Sequence, residues 1–135
     1  MFANFIHDFK MQIYYLLSGN ADISAKVNSV YIAPTQDAKH PFLLINIIKV
    51  IDCSKFNCNM YNIEFEVCIF TREKNQNISY SLLDKITSSL ISENCQFGDY
   101  MVSAIKASVL DFDQSRDLIS NKLSIKYKAL IKRGE

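Results

Sequence analysis

Tryptophan is absent, and in 135 residues glycine occurs three times and proline twice. So few chain breakers exclude long linkers and low-complexity tracts, and no stretch repeats at a fixed period. The expectation is one domain over residues 1-135, long enough for a single core. Histidine is nearly absent too: only His7 and His40 occur. No glycine-rich phosphate loop, nucleophile elbow, helical His-Glu pair or Cys-x-x-Cys is present. Paired carboxylates two residues apart, Asp111 with Asp113 and Glu64 with Glu66, lack a histidine or third acid nearby in sequence. Catalysis and metal binding both ask for more than that. The reading is a protein that is not an enzyme and holds no cofactor.

An excess of charge is missing as well. The formal net charge is +1, which argues against a chain whose main work is gripping nucleic acid through many phosphate contacts. Long apolar runs are also lacking: residues 42 to 51 are interrupted by Asn46 and Lys49 and fall far short of a membrane span. His7, Asp8, Lys10 and Gln12 break the apolar character of the first residues, so no secretory signal is expected, and the cytoplasm is the expected compartment. In that compartment Cys53, Cys58, Cys68 and Cys95 are expected as free thiols. Cys53 and Cys58 have no second ligand pair downstream, so zinc is not expected either.

What the chain does have is clean periodicity. Phe2, Phe5, Ile6, Phe9, Ile13, Leu16 and Leu17 form one apolar stripe, predicting a helix over 2–17 that Ser18-Gly19-Asn20 ends. Residues 21–28 suggest a further helical turn or two. A short strand over 29–32 follows, then a loop with proline at each end, Pro34 and Pro41. Residues 42–51 carry apolar side chains on both faces, Phe42, Leu44, Ile48 and Val50 on one and Leu43, Ile45, Ile47 and Ile51 on the other, so both faces of this strand are expected to be covered.

From Met60 the period is two: Tyr61, Ile63, Phe65, Val67 and Ile69 share one side, Asn62, Glu64, Glu66 and Cys68 the other. An antiparallel hairpin through 52–59 is the expected pairing. Ile78, Leu82, Leu83, Ile86 and Leu90 then recur at helical spacing, led by Asn75 and Asn77 as candidate N-caps. A loop containing Gly98 leads to a strand from about Tyr100 to Phe112. There Met101, Ile105, Ala107 and Val109 are assigned to one side, Tyr100, Val102, Leu110 and Phe112 to the other, and a turn is expected from Asp111. In the last strand Leu123, Ile125, Tyr127, Ala129 and Ile131 point inward, opposite Lys122, Ser124, Lys126, Lys128, Leu130 and Lys132.

The expected fold class is α+β: a single mixed or mostly antiparallel β-sheet with two amphipathic helices packed on one face, in the order α-β-β-β-α-β-β. The helices leave the second face of the sheet uncovered, and a subunit partner would cover it. The lysines 122, 126, 128 and 132 read either as a solvated outer face or protected edge strand, or as an electrostatic surface toward a neighbouring subunit or passing DNA. In a symmetric ring the same four would repeat into a positive belt.

Several strings resemble the tail-terminator or tail-completion proteins of long-tailed bacteriophages, prophages and phage-like particles. They are Val30-Tyr31-Ile32-Ala33-Pro34, Pro41-Phe42-Leu43-Leu44-Ile45, Phe65-Glu66-Val67-Cys68-Ile69-Phe70-Thr71-Arg72, and Asp111-Phe112-Asp113 leading to Leu123-Ser124-Ile125-Lys126-Tyr127. The resemblance implies a structural protein that forms a homo-oligomeric ring, typically a hexamer, at the end of the tail tube. Such a ring stops tube polymerisation and joins the tail to the head-side connector, with DNA passing transiently through it and no membrane involved. The expected location is the cytoplasm during assembly and the virion tail afterwards. Glu64, Glu66, Lys122, Lys126, Lys128 and Lys132 are then candidates for a subunit or lumen surface. Pro34, Asp37, His40, Lys55 and Phe56 are candidates for loops that meet the tube or the connector. The alternatives are another head-tail joining or minor tail protein, or a small α+β nucleic-acid-binding module, which would need aromatics on an exposed sheet face beside basic residues.

Overall fold

The computed structural model describes residues 2–33, 38–56, 58–72, 77–92, 96–97, 99–114 and 120–133. The stripes at 2–17 and 78–90 become helices α1 (Phe2–Ser18) and α3 (Asn77–Ser92). Each buries side chains at a spacing of four, Phe5, Phe9, Ile13 and Leu17 from α1 and Leu82, Ile86 and Leu90 from α3. Gly19 ends α1 by close approach: a Cβ there would sit 2.8 Å from the Tyr15 carbonyl oxygen that the Gly19 N–H bonds. The turn foreseen after it is α2 (Ala21–Ser24), capped by Asn20. The Asn20 Oδ1 accepts from the N–H groups of Asp22 and Ile23, and its Nδ2 donates to Ser89 Oγ at 2.6 Å, which ties α2 to α3. Of the candidate caps of α3, Asn75 and the Asn77 side chain lie outside the described residues.

The strands are β1 (Ser29–Tyr31), β2 (Phe42–Asp52), β3 (Met60–Arg72), β4 (Gln96–Phe97), β5 (Tyr100–Gln114) and β6 (Ser120–Arg133), in the sheet order β1-β2-β3-β6-β5-β4. Among the described residues, only the β1–β2 pairing is parallel. The two-residue β4 was not foreseen; it pairs with the first two residues of β5. Strands β3 and β5, joined through α3, are both antiparallel to β6 and therefore parallel to each other, with β6 inserted between them. The lysine-bearing strand is thus interior, so protection of a sheet edge is not what its lysines do. Its predicted inner face holds: Leu123, Ile125, Tyr127, Ala129 and Ile131 are buried under the helices.

Bulges correct the face assignments of two strands. The register shift between Ile47 and Lys49 puts Ile48 out of step, so Val50 follows Leu43, Ile45 and Ile47 onto the core side while Ile51 turns to the open face. In β5 the shifts at Ser103 and Ser108 reverse only the residues between them, bringing Ile105 and Ala107 to the helix side beside Tyr100, Val102, Leu110 and Phe112. Met101, Ala104, Lys106, Val109, Asp111 and Asp113 face the other way. The side shared by Tyr100, Val102, Leu110 and Phe112 is thus the one that faces the helices rather than the uncovered one, and Phe112 meets Tyr80 of α3, ring centroids 6.3 Å apart. The strand also runs on to Gln114, through the segment expected to turn.

One line of contacts joins both helices to the two central strands. Phe9 packs edge-on to Phe65 at 5.3 Å, Phe65 stacks on Tyr127 at 5.3 Å, and the Tyr127 hydroxyl shares a 2.9 Å hydrogen bond with Thr87 Oγ1. Burial pushes the Tyr127 phenol up to about 12, against a smaller opposite effect of the Thr87 bond. Because the folded value is raised, the contribution is whole below the ordinary value of 10 and is lost as pH climbs from 10 toward 12. Tyr127→Phe should cost about 1 kcal/mol at neutral pH, and Tyr127→Ala about 3–5 kcal/mol, measured by urea unfolding. Between the two pKa values the wild-type chain should lose about 2–3 kcal/mol that Tyr127→Phe does not.

Candidate functional site

With the helices on one side, the opposite sheet face is open, and it is laid out in rows across the strands. At one end stand Phe42, Phe70, Lys122 and Asp113; the next row holds Leu44, Cys68, Ser124 and Asp111. Asn46, Glu66, Lys126 and Val109 follow, then Lys49, Glu64, Lys128 and Lys106, and then Ile51, Asn62, Leu130 and Ala104. The face therefore has an aromatic end, a charged middle and a mostly apolar far end.

The six candidate surface residues from the sequence all lie on this face, on adjacent central strands, with Glu64, Glu66, Lys126 and Lys128 together in the middle, Lys122 at the aromatic end and Lys132 at the far end opposite Met60 and Met101. The central four have partners within the chain: Lys128 Nζ lies 3.7 Å from Glu64, Asn46 donates to Glu66 Oε1 at 3.3 Å, and Lys126 Nζ lies 3.9 Å from Asp111. The two ion pairs are substantially exposed and each is worth little. Lys122 instead sits over the Phe70 ring, 5.8 Å from its centroid. Sequence periodicity missed Lys106, whose side of β5 depends on the Ser103 bulge. It is directly opposite Lys128, a like-charge neighbour that costs stability.

At the aromatic end, Phe42 and Phe70 stack at 4.6 Å with planes 11° apart. His40 and Tyr31 meet Phe42 at 5.0 and 5.7 Å. Aromatics do stand on the open face beside a lysine, then, as a base-stacking module needs. Here they pack on one another rather than offering separate platforms, which disfavours that reading. Burial, then the Arg72 cation, lowers the His40 pKa below its ordinary value. Cys68 is buried between these rows; burial, helped by Glu66, raises its pKa against the Ser124 bond at 3.5 Å, so it is a poorly reactive thiol.

The two candidate loops lie at opposite ends of β2, roughly 35 Å apart at strand rise. Near its start, Asn28 Nδ2 donates to the carbonyls of Lys39 and His40 at 3.2 and 2.8 Å, fixing the chain ahead of the cis His40–Pro41 bond. Pro34 and Asp37 lie outside the described residues. At the other end the β2–β3 hairpin closes tightly, with Lys55 and Cys58 exchanging backbone hydrogen bonds of 2.8 and 3.0 Å. Phe56 at its tip is 102% exposed. Among the described residues no cluster of acidic, histidine or cysteine side chains has the geometry of a metal site, and no helix is long and apolar enough to cross a membrane.

No family model and no curated protein matches this chain. Solved structures do. A chain in the virion of a native gene transfer agent particle superposes with a TM-score of 0.84 at 12% identity, covering 94% of this chain and 96% of that one. The gp17 protein of bacteriophage SPP1 superposes with a TM-score of 0.62 at 16% identity, covering 91% and 88%. The likeness is one of fold.

The row of Lys49, Glu64, Lys128 and Lys106 makes a checkable case. Lys106→Glu replaces the like-charge pair by an alternating row and should raise stability by about 0.2–1 kcal/mol. Urea unfolding at low salt should show the gain, and molar salt should erase most of it.

Proposed function

We propose that this chain is a structural protein of a phage or phage-derived particle and acts as a tail terminator. Copies form a ring, a hexamer by family resemblance, on the end of the tail tube; the ring stops tube growth and joins the tail to the head-side connector. The observation that carries this reading is the end-to-end fold match to a chain of a gene transfer agent virion. Three features of the chain support it. An open sheet face backed by helices on one side suits assembly with other subunits. The candidate contact loops stand at opposite ends of the sheet, as a piece that meets two different partners requires. The open face carries Lys49, Lys106, Lys122, Lys126, Lys128 and Lys132 against Glu64, Glu66, Asp111 and Asp113, a mild positive excess that suits passing DNA without tight capture.

Phe56 serves as an anchor in this proposal, since a fully exposed phenylalanine at a hairpin tip gains most by entering a partner's pocket. Removing the chain from particle-producing cells should leave heads unattached to tails, with tails of irregular length, in electron micrographs. Tails of normal length joined to heads would overturn the reading. Phe56→Ser should leave the thermal midpoint unchanged and cut the yield of joined particles about tenfold, the effect of about 1.4 kcal/mol at one contact.

A further inference from the structure

The sheet ends in two short, offset strands. β1 covers β2 only at Phe42, Leu43 and Leu44, and β4 covers β5 only at Tyr100 and Met101. The registers put β1 at the aromatic end and β4 at the opposite end. Among the described residues, β5 beyond Met101 has no strand on its outer side and makes no backbone hydrogen bond outside its ladders. Such an edge is a template for another chain. The bulges at Ser103 and Ser108 interrupt it and leave 109–114 as its longest regular stretch. On its helix side that stretch exposes Leu110 and Phe112, the latter at 58%, and on its open side Val109; exposed apolar side chains grouped along a free edge mark an interaction surface.

The other edge of the sheet offers a counterpart. Beside β1 on the helix side lies an apolar groove of about 410 Å³, lined by Met11, Tyr14, Val30, Tyr31, Ile32 and Ala33. Phe112 also faces the helix side, where it meets Tyr80. Protruding ring and groove thus share the same end and the same face of the sheet, on opposite edges. β1, Ser29-Val30-Tyr31, carries no charge, so Asp111 and Asp113 on the facing strand meet no repulsion from it.

We propose that copies of this chain join head to tail, the 109–114 edge of one pairing antiparallel with β1 of the next and Phe112 seated in that neighbour's groove. The occupant is a second copy because one chain carries both halves at matching levels. A contact of this kind uses two different patches, so repeating it closes a ring or extends a filament. The proposal rests on the ring reading and names its seam.

Cysteine pairs on the open side test it without touching Phe112 or the groove. Ser29→Cys is combined with Asp111→Cys or Asp113→Cys in a chain whose Cys53, Cys58 and Cys95 are serine, and the purified protein is oxidised at millimolar concentration. A covalent ladder of trimers and larger species should form with at least one pair, while each single cysteine yields no species above a dimer. Adding Phe112→Ser should abolish the ladder and shift sedimentation to the monomer, with circular dichroism and thermal midpoint unchanged. A ladder that survives this change overturns the seating of Phe112. Assembly by sedimentation without a ladder from either pair overturns the seam and leaves the ring reading standing; a chain that stays monomeric and uncross-linked overturns both. In particle-producing cells, a cross-link from Asp111→Cys solely to a different protein would also overturn the seam.

Discussion

The Phe65–Tyr127 stack is the contact on which the rest of this structure depends. It joins the two central strands on their inner face, Phe9 closes it from α1, and Thr87 holds the Tyr127 hydroxyl from α3. A tyrosine can be buried this deeply only because its polar end finds a partner. That requirement fixes the height of α3 over β6. Held there, α3 lies on the crossover that carries the chain from β3 over β6 to β5.

The one-sided burial of the central strands has a second consequence. Every residue of β3 and β6 that turns away from the stack turns toward the open face, so the inner alternation also places Glu64, Glu66, Lys122, Lys126 and Lys128. Charges of both signs fall on neighbouring strands and pair weakly across them. The face is consequently polar and patterned rather than strongly basic, with its exposed apolar surface toward the rims. A surface of that kind suits extended contact with other subunits better than capture of one ligand.

The rims are where the chain departs from a simple alternating pattern. Ile48, Ser103 and Ser108 each add one residue to a strand, and each reverses the faces that follow. In β5 the two reversals cancel, so only Ile105 and Ala107 change sides, while Leu110 and Phe112 stay on the helix side at the margin of the sheet, beyond full cover. The bulges also limit edge pairing to a short regular stretch. A free edge without such breaks invites uncontrolled aggregation; a broken one restricts what pairs with it.

Residue periodicity alone determined both long helices, the hairpin between 42 and 72, the α+β class and the charged face of the last strand. The reason is that side-chain period and burial are coupled wherever an element packs on one side only. Phe56 became a candidate contact through the family resemblance rather than through periodicity. Tertiary structure decided that the lysine strand is interior, that Phe42 and Phe70 stack, that Lys106 stands against Lys128, and that β4 exists. It also decided where the bulges fall, and with them the faces of Val50, Ile51, Ile105 and Ala107. A bulge leaves no mark in the hydrophobic pattern, because one extra residue in a strand that is apolar on both sides still reads as alternation. Strand order is hidden for a related reason: which strand lies beside β6 depends on residues dozens of positions away.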